Sequence, residues 1–461
     1  MEMGTKMIDW YATGAMLAYI HQFHSQVSEM MEEHLSQSPK FQNVSYPITP
    51  LPLFLSGEEV DNHQNNVERY VVILEKLCRL YNEHQEIRDY FGLKLEEDKL
   101  VRLDCGYNPQ IRICRLDGYF DRKDGSLKIL ENNADSPAGT LFTPRLNGFV
   151  SQVIERGLKA QTIQTKSMPL DNPTTFLEQL LATYREYGGT QEQPRLAILQ
   201  VAGKSNIESQ EMAREFTKHG IPTLVADPRE FTFTRTGAEI NGQPIHFVWN
   251  KINTCFWDWN SLQVEHPNLL SEWIEAISER KICHVNSFAS RYVAENKRCI
   301  SFFQEPEYKQ FFKEEEHSLL QSLLPWSRKL EPDKQVVYED KDWNLAELLS
   351  DRQADFVLKQ PYDIRGDGVT IGRSVDRKTW LDQMSLGMRQ GFVVQRYIQP
   401  MTYPIISFQR KPLVLPMNVS IDSFMFGGRL VGFGSKASLE DKVNLFKGGQ
   451  KLGVKIVEAI G

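Results

Sequence analysis

Arg115-Leu116-Asp117 and Glu131-Asn132-Asn133-Ala134-Asp135-Ser136-Pro137 flank Asp124-Gly125, a strong reverse-turn signal with alternating apolar residues on either side. Folding back at this turn, which reads as type I′, brings Asp117, Glu131 and Asn133 to one end of two strands. Glu131 and Asn133 are two residues apart and therefore share a face. Two carboxylates and an amide oxygen on one face form a hard-oxygen set suited to magnesium that also carries phosphate ligands. Carboxylates clustered without a cation repel, which is a further reason to expect a metal. The plainer alternative is a hairpin end held by side-chain hydrogen bonds, with Asp117 paired to Arg115 and Asp135-Ser136-Pro137 an ordinary turn.

Phosphate chemistry needs a second set of residues, and the sequence offers one far downstream. Phe356-Val357-Leu358-Lys359 reads as a short buried strand ending in a lysine, and such a lysine needs a charged partner. It runs into Gln360-Pro361-Tyr362-Asp363-Ile364-Arg365-Gly366-Asp367-Gly368-Val369, where Gly366 and Gly368 would let backbone N–H groups approach phosphate oxygens. The spacing is not that of a Walker A loop, and no G-x-G-x-x-G follows a strand. A glycine loop between strands, covering phosphates from above, is the expected arrangement.

The elements that must position these groups are legible in outline. Residues 1–95 have apolar residues at helical spacing over Met7–Met31 and Asn65–Phe91, with turn signals at 47–52 and Ser56-Gly57. Residues 96–175 contain the hairpin. Residues 176–290 read as a Rossmann-like β-α-β layer: a strand at Arg195–Val201, a helix from Asn206 to His219, then strands at Gly220–Asp227 and His246–Trp249. Residues 291–400 would be a lid over the nucleotide, and 401–461 would return to complete the floor. The fold class is α/β (α+β).

Taken together, these motifs resemble the circularly permuted ATP-grasp ligases, most closely the synthetase part of glutathionylspermidine synthase and more distantly eukaryotic glutathione synthetase. The family carries R-x-D, then E-x-N-A-D-[ST]-P, and later a V-x-K strand with a glycine loop; here these are Arg115–Asp117, Glu131–Pro137 and Val357–Lys359, within a likeness spanning roughly 100–455. The resemblance implies that Asp117, Glu131, Asn133 and Asp363 hold two magnesium ions, with Asp367 the rival of Asp363. It implies that Lys297, Lys359, Gly366 and Gly368 hold ATP phosphates, and that the main chain of Gln395 and Tyr397 pairs with adenine. Arg115 and Lys436 would act on the acyl phosphate or a substrate carboxylate, and Asp135, Ser136 and Lys251 would face substrate. Asn444 is a further neighbour of the metal or phosphates. The family often has an acid for the ribose where Arg396 stands, and an arginine near Lys436.

The implied reaction is ATP-dependent joining of a carboxylate and an amine through an acyl phosphate, with release of ADP and phosphate. A small-molecule kinase and a non-catalytic nucleotide-binding protein are the alternatives. The composition suits a folded enzyme: 461 residues, 41% hydrophobic, 25% charged and a net charge of −7, with no basic stripe for nucleic acid. Cys78, Cys105, Cys114, Cys255, Cys283 and Cys299 form no C-x-x-C pair and read as reduced packing residues. Without an apparent signal peptide or membrane-length apolar run, the expected location is the cytoplasm. A homodimer is the commonest arrangement for such an enzyme.

Overall fold

The computed structural model describes residues 5–458, apart from 38–39, 42–43, 46, 204–205, 255–265, 364–365, 409–411 and 446–447. Its centre is an antiparallel sheet in the order Gln450–Leu452, Arg429–Ser438, Pro412–Phe426, Ile113–Phe120, Leu127–Asn133, with Thr402–Phe408 also paired to Pro412–Phe426. Alternation assigns the two faces. Cys114, Leu116 and Phe120 point into the core, which leaves Arg115, Asp117 and Tyr119 on the opposite side.

The expected hairpin is present, but its connection is longer than the two-residue turn anticipated. The strands end at Phe120 and Leu127, and the loop is closed by Asp121 N–H to the Ser126 carbonyl (2.8 Å) and Gly125 N–H to the Asp121 carbonyl (2.7 Å). Asp121 is drawn away from a tight turn because its carboxylate accepts from Lys123 N–H at 3.0 Å. The neighbouring Arg122 N–H donates to the Gln399 carbonyl at 2.9 Å. A bulge also interrupts the ladder: Asp117 opposes Glu131, but Gly118 opposes Ile129, so Leu130 is skipped. Gly118 permits this, since a Cβ there would lie 2.6 Å from the Lys128 carbonyl oxygen.

Helices support the sheet from behind. Met7–Met31 is two helices rather than one, Trp10–Gln22 and His24–Gln37, broken at Phe23. The second expected helix begins earlier, running Gly57–Glu83 before a break at His84 and a short Gln85–Phe91 helix. Ser56-Gly57 is thus a helix start, and Glu58 and Glu59 favour the positive end of the helix dipole. Buried Val60, Val67, Tyr70, Val71, Leu74, Leu77, Cys78 and Tyr81 recur at helical spacing. Each large apolar side chain so buried contributes about 1.5–3 kcal/mol. Two polar groups on this helix also fix the hairpin: Tyr70 donates to Asn132 Oδ1 at 3.0 Å, and the Glu75 carboxylate accepts from Gln110 and Ile111 N–H.

The β-α-β layer forms as expected, a parallel sheet in the order Cys283–Val285, Phe247–Asn250, Leu196–Leu199, Thr223–Ala226. Its helix, Ile207–Lys218, is capped by Asn206, whose Oδ1 accepts from Glu208 and Ser209 N–H. A separate antiparallel sheet holds Ser327–Lys329, Val393–Arg396, Phe356–Lys359 and Val369–Ile371 in that order. A further sheet joins Leu53–Ser56 in parallel to Val454–Val457, flanked by Thr165–Lys166. Five cysteines are free and buried, and Cys255 lies outside the described residues. Among the described residues, no helix is long and apolar enough to cross a membrane.

Candidate functional site

Register places the chemistry-bearing residues of the central sheet side by side. Asp117 opposes Glu131 on one side and Asp422 on the other, and Arg115 opposes Asn133. Lys436 opposes Ser420, two residues from Asp422 on the same strand. All therefore face one way. Arg115 clasps Asp117 with two bonds, Nε to Oδ1 at 2.6 Å and Nη2 to Oδ2 at 2.9 Å, and donates from Nη1 to the Ala138 carbonyl at 2.7 Å. Lys436 Nζ lies 3.4 Å from Asp117 and 3.2 Å from Asp422. Burial acts to raise the Asp117 pKa, but Arg115 and Lys436 outweigh it and hold this carboxyl at about 2.

Lys297, Lys359 and Asp363 meet this face from the segment 291–400. Lys297 is buried, not solvated, and forms ion pairs with Asp363 and, at 3.5 Å, with Glu131. Burial disfavours its charge, yet Glu131 and Asp363 raise its pKa well above the usual lysine range. Asp363, not the exposed Asp367, stands beside Lys297. Lys359 does not have the charged partner expected for it. Its ammonium donates to the Leu130 carbonyl at 2.8 Å, the group freed from the ladder by the bulge, and among the described residues it is in no ion pair. Burial pushes its pKa down to about 8, with Glu131 opposing the shift.

Other expected residues already have partners within the chain. The Tyr397 N–H is taken by the Asp355 carbonyl at 2.7 Å, and Gln395 sits within the ladder opposite Ser327 and Val357. The Gln395 side chain donates to Ser327 Oγ at 3.3 Å. Gly368 N–H is given to the Asp363 carboxylate at 3.2 Å, and a Cβ on Gly368 would lie 2.8 Å from that of Asp363. Gly366 accepts from Lys442 Nζ at 2.7 Å through its carbonyl, which ties the glycine loop to the C-terminal loop. Ile364, Arg365, Phe446 and Lys447 lie outside the described residues, while Asn444 lies within them. Arg396 reaches Asp121 at 3.2 Å and so links the strand Val393–Arg396 to the hairpin loop.

Asp135, Ser136 and Lys251 are buried and committed to holding the 134–139 loop. Asp135 accepts from Thr254 N–H at 2.8 Å and from Thr254 Oγ1 at 3.2 Å. Lys251 donates to the Ser136 and Pro137 carbonyls and pairs with Glu208 at 3.2 Å. Glu208 in turn accepts from Gly139 N–H at 2.8 Å. Lys251→Met is expected to lower stability by about 3 kcal/mol, because it leaves the Glu208 carboxylate buried without its cation. Denaturant unfolding checks this, and an unchanged midpoint would mean that water satisfies Glu208.

Sequence reasoning missed several supports. Glu295, whose pKa burial raises well above the carboxylate range with Asp135 adding to the effect, accepts from Ala134 and Asp135 N–H. Arg291 donates to the Asp135 and Asn250 carbonyls, and Asn286 binds backbone groups of Arg112, Ile113 and Ala134. Asp422 was also missed, although Asn418, Ser420 and Asp422 alternate with apolar neighbours in a strand-like run that could have revealed it.

The donor set is suited to magnesium. Glu131 is the most open of these acids, at 29% side-chain exposure, and Lys297 already places a positive charge between it and Asp363. Among the described residues, no three carboxylate, imidazole or thiol groups stand close enough to hold a metal by themselves. Such a site suits a cation that keeps water and takes phosphate oxygens as ligands.

No protein-family model matches the chain, and no curated protein matches it. Among solved structures it is similar to a glutathione synthetase-like effector from Globodera pallida, in apo form. The identity is 12% over 95% of this chain and 98% of that one, with a TM-score of 0.61. A gamma-glutamylcysteine synthetase-like protein from Methylobacillus flagellatus KT matches at 10% identity over 81% and 84% of the two chains, TM-score 0.39. A RimK domain ATP-grasp protein from Sphaerobacter thermophilus DSM 20745 matches at 11% over 53% and 91%, TM-score 0.29. The likeness to the first shows the fold, the mixed α/β class expected from the sequence.

Proposed function

We propose that this chain is an ATP-dependent carboxylate–amine ligase of the circularly permuted ATP-grasp kind, forming an amide or peptide bond and releasing ADP and phosphate. The observation that carries the reading is the convergence of Lys297 and Lys359 on the face that bears Glu131 and Asp117. One lysine is paired with acids, and the other has only a carbonyl for a partner. The order of parts also supports it, since the carboxylate hairpin precedes the lysine and glycine loop in the chain.

Lys359 and Lys297 bind the phosphates of ATP, and the 360–368 loop closes over them. Arg115 orients a substrate carboxylate, which attacks the γ-phosphorus in line to give an acyl phosphate and ADP. An amine then attacks the acyl carbon, loses a proton and expels phosphate. Glu131, with Asp117, Asn133 and Asp363, would hold magnesium, which neutralises charge on the transferring group. Positioning and electrostatics supply most of the acceleration. Contacts of Asp441 with Ser374 (3.0 Å) and of Lys442 with Gly366 close the lid against water that would hydrolyse the acyl phosphate.

The test is ADP and phosphate release from Mg-ATP across amino acids and short peptides, each with and without a panel of amines, beside Glu131→Ala. Release that requires both a carboxylate and an amine, and disappears in the variant, is the expected result. Release with one acceptor and a stable phosphorylated product would replace the ligase with a kinase. No binding of Mg-ATP would remove the nucleotide reading altogether.

A further inference from the structure

Lys451 opposes Lys436 in the antiparallel register of Gln450–Leu452 and Arg429–Ser438. Directly opposed residues share a face, so Lys451 stands on the side that carries Lys436, Asp422, Asp117 and Arg115. Its backbone is pinned on the other side as well. Lys451 N–H donates to the Pro47 carbonyl at 2.7 Å, and its carbonyl accepts from Thr49 N–H at 3.1 Å. A strand paired on both sides cannot slip register and carry this side chain to the other face.

The charges on this face do not balance. Arg115 and Lys436 share Asp117, and Lys436 also lies beside Asp422. Glu131, on the same face, is paired with Lys297, so Arg115, Lys436 and Lys451 stand against Asp117 and Asp422, and among the described residues the Lys451 ammonium has neither a hydrogen-bond nor an ion-pair partner. Like charges placed directly across a ladder repel, and an anion between them removes the repulsion.

We propose that Lys451 and Lys436 form an anion subsite at the far end of the central sheet, which holds a substrate carboxylate other than the one that is activated. The substrate bound there is acidic, of amino-acid or peptide type, and a cationic polyamine is excluded by charge. The assignment of this carboxylate to a substrate rests on the ligase reading, but the binding step is measured without nucleotide, so the two can fail separately.

Succinate, with putrescine as the cationic control, is titrated calorimetrically into the full chain and into Lys451→Met, Lys451→Arg and the surface variant Lys159→Met. Wild type, Lys451→Arg and Lys159→Met are expected to bind succinate and not putrescine. Lys451→Met should bind succinate about tenfold more weakly, the loss expected for one charge-assisted hydrogen bond. Absence of succinate binding, equal binding by Lys451→Met, or preference for putrescine would overturn the proposal. If Lys451→Met does not fold, acetylation of Lys451 in the wild-type chain gives the same reading: succinate should protect it, and lack of protection overturns the subsite.

Discussion

Replacing Lys359 with methionine is expected to slow Mg-ATP turnover by about 1,000-fold while leaving the fold intact, the scale for loss of one preorganised charge at a phosphoryl-transfer site. The side chain is buried and its ammonium is held only by the Leu130 carbonyl, so its charge is available to a phosphate. Methionine keeps the volume and removes a charge whose burial is itself unfavourable, so the thermal midpoint should not fall. Turnover within about tenfold of wild type, less than the loss of one such donor produces, would take Lys359 out of the machinery. Because burial sets its pKa at about 8, kcat/KM for Mg-ATP should fall as pH rises through that value. Lys359→Arg should abolish that fall, since a guanidinium stays charged.

The same shift makes a stability statement. The folded pKa lies below the unfolded value, so the unfolded chain binds more protons between about 8 and about 10.4. The Lys359 contribution therefore stabilises the protein as pH rises through that window. Below it, the contribution opposes folding.

Asn286→Leu should lower stability by about 4 kcal/mol, the largest effect expected from one side chain away from the phosphate site. Asn286 is fully buried, and its Oδ1 accepts from Arg112 and Ile113 N–H at 3.0 and 2.9 Å. Its Nδ2 donates to the Ile113 and Ala134 carbonyls at 2.7 and 3.0 Å. Leucine fills similar space but takes the Asn286 partner from the Arg112 and Ile113 N–H groups and the Ile113 carbonyl in the dry interior, while the Ala134 carbonyl keeps the Ser290 hydroxyl at 2.7 Å. Chemical denaturation followed by tryptophan fluorescence measures the loss; a value under about 1 kcal/mol, that of a single ordinary hydrogen bond, would mean that water takes over.

The hairpin, the parallel layer and the lysine-ending strand were legible because each rests on local signals: period-two alternation, an Asp-Gly turn, an Asn cap before an amphipathic helix. The face shared by Asp117, Glu131 and Asn133 followed from the same parity. The partner of Lys359 did not, because it depends on a bulge that no residue pattern announces beyond Gly118. Arg115 and Asp117 illustrate the other limit: two residue types suited to chemistry also pair with each other, and here they do. Lys451 was invisible because its meaning lies in a cross-strand neighbour, which only the register supplies.

The pairing of Leu53–Ser56 with Val454–Val457 has a consequence for biosynthesis. Leu53, Phe54 and Leu55 are buried, and their ladder partner lies about 400 residues further along the chain, so it emerges from the ribosome much later. At ~5–20 residues per second, this strand waits on the order of tens of seconds for its template. Through that interval an apolar edge is open to other nascent chains. Yield in a cell should therefore follow chaperone supply more closely than the stability of the finished protein would suggest.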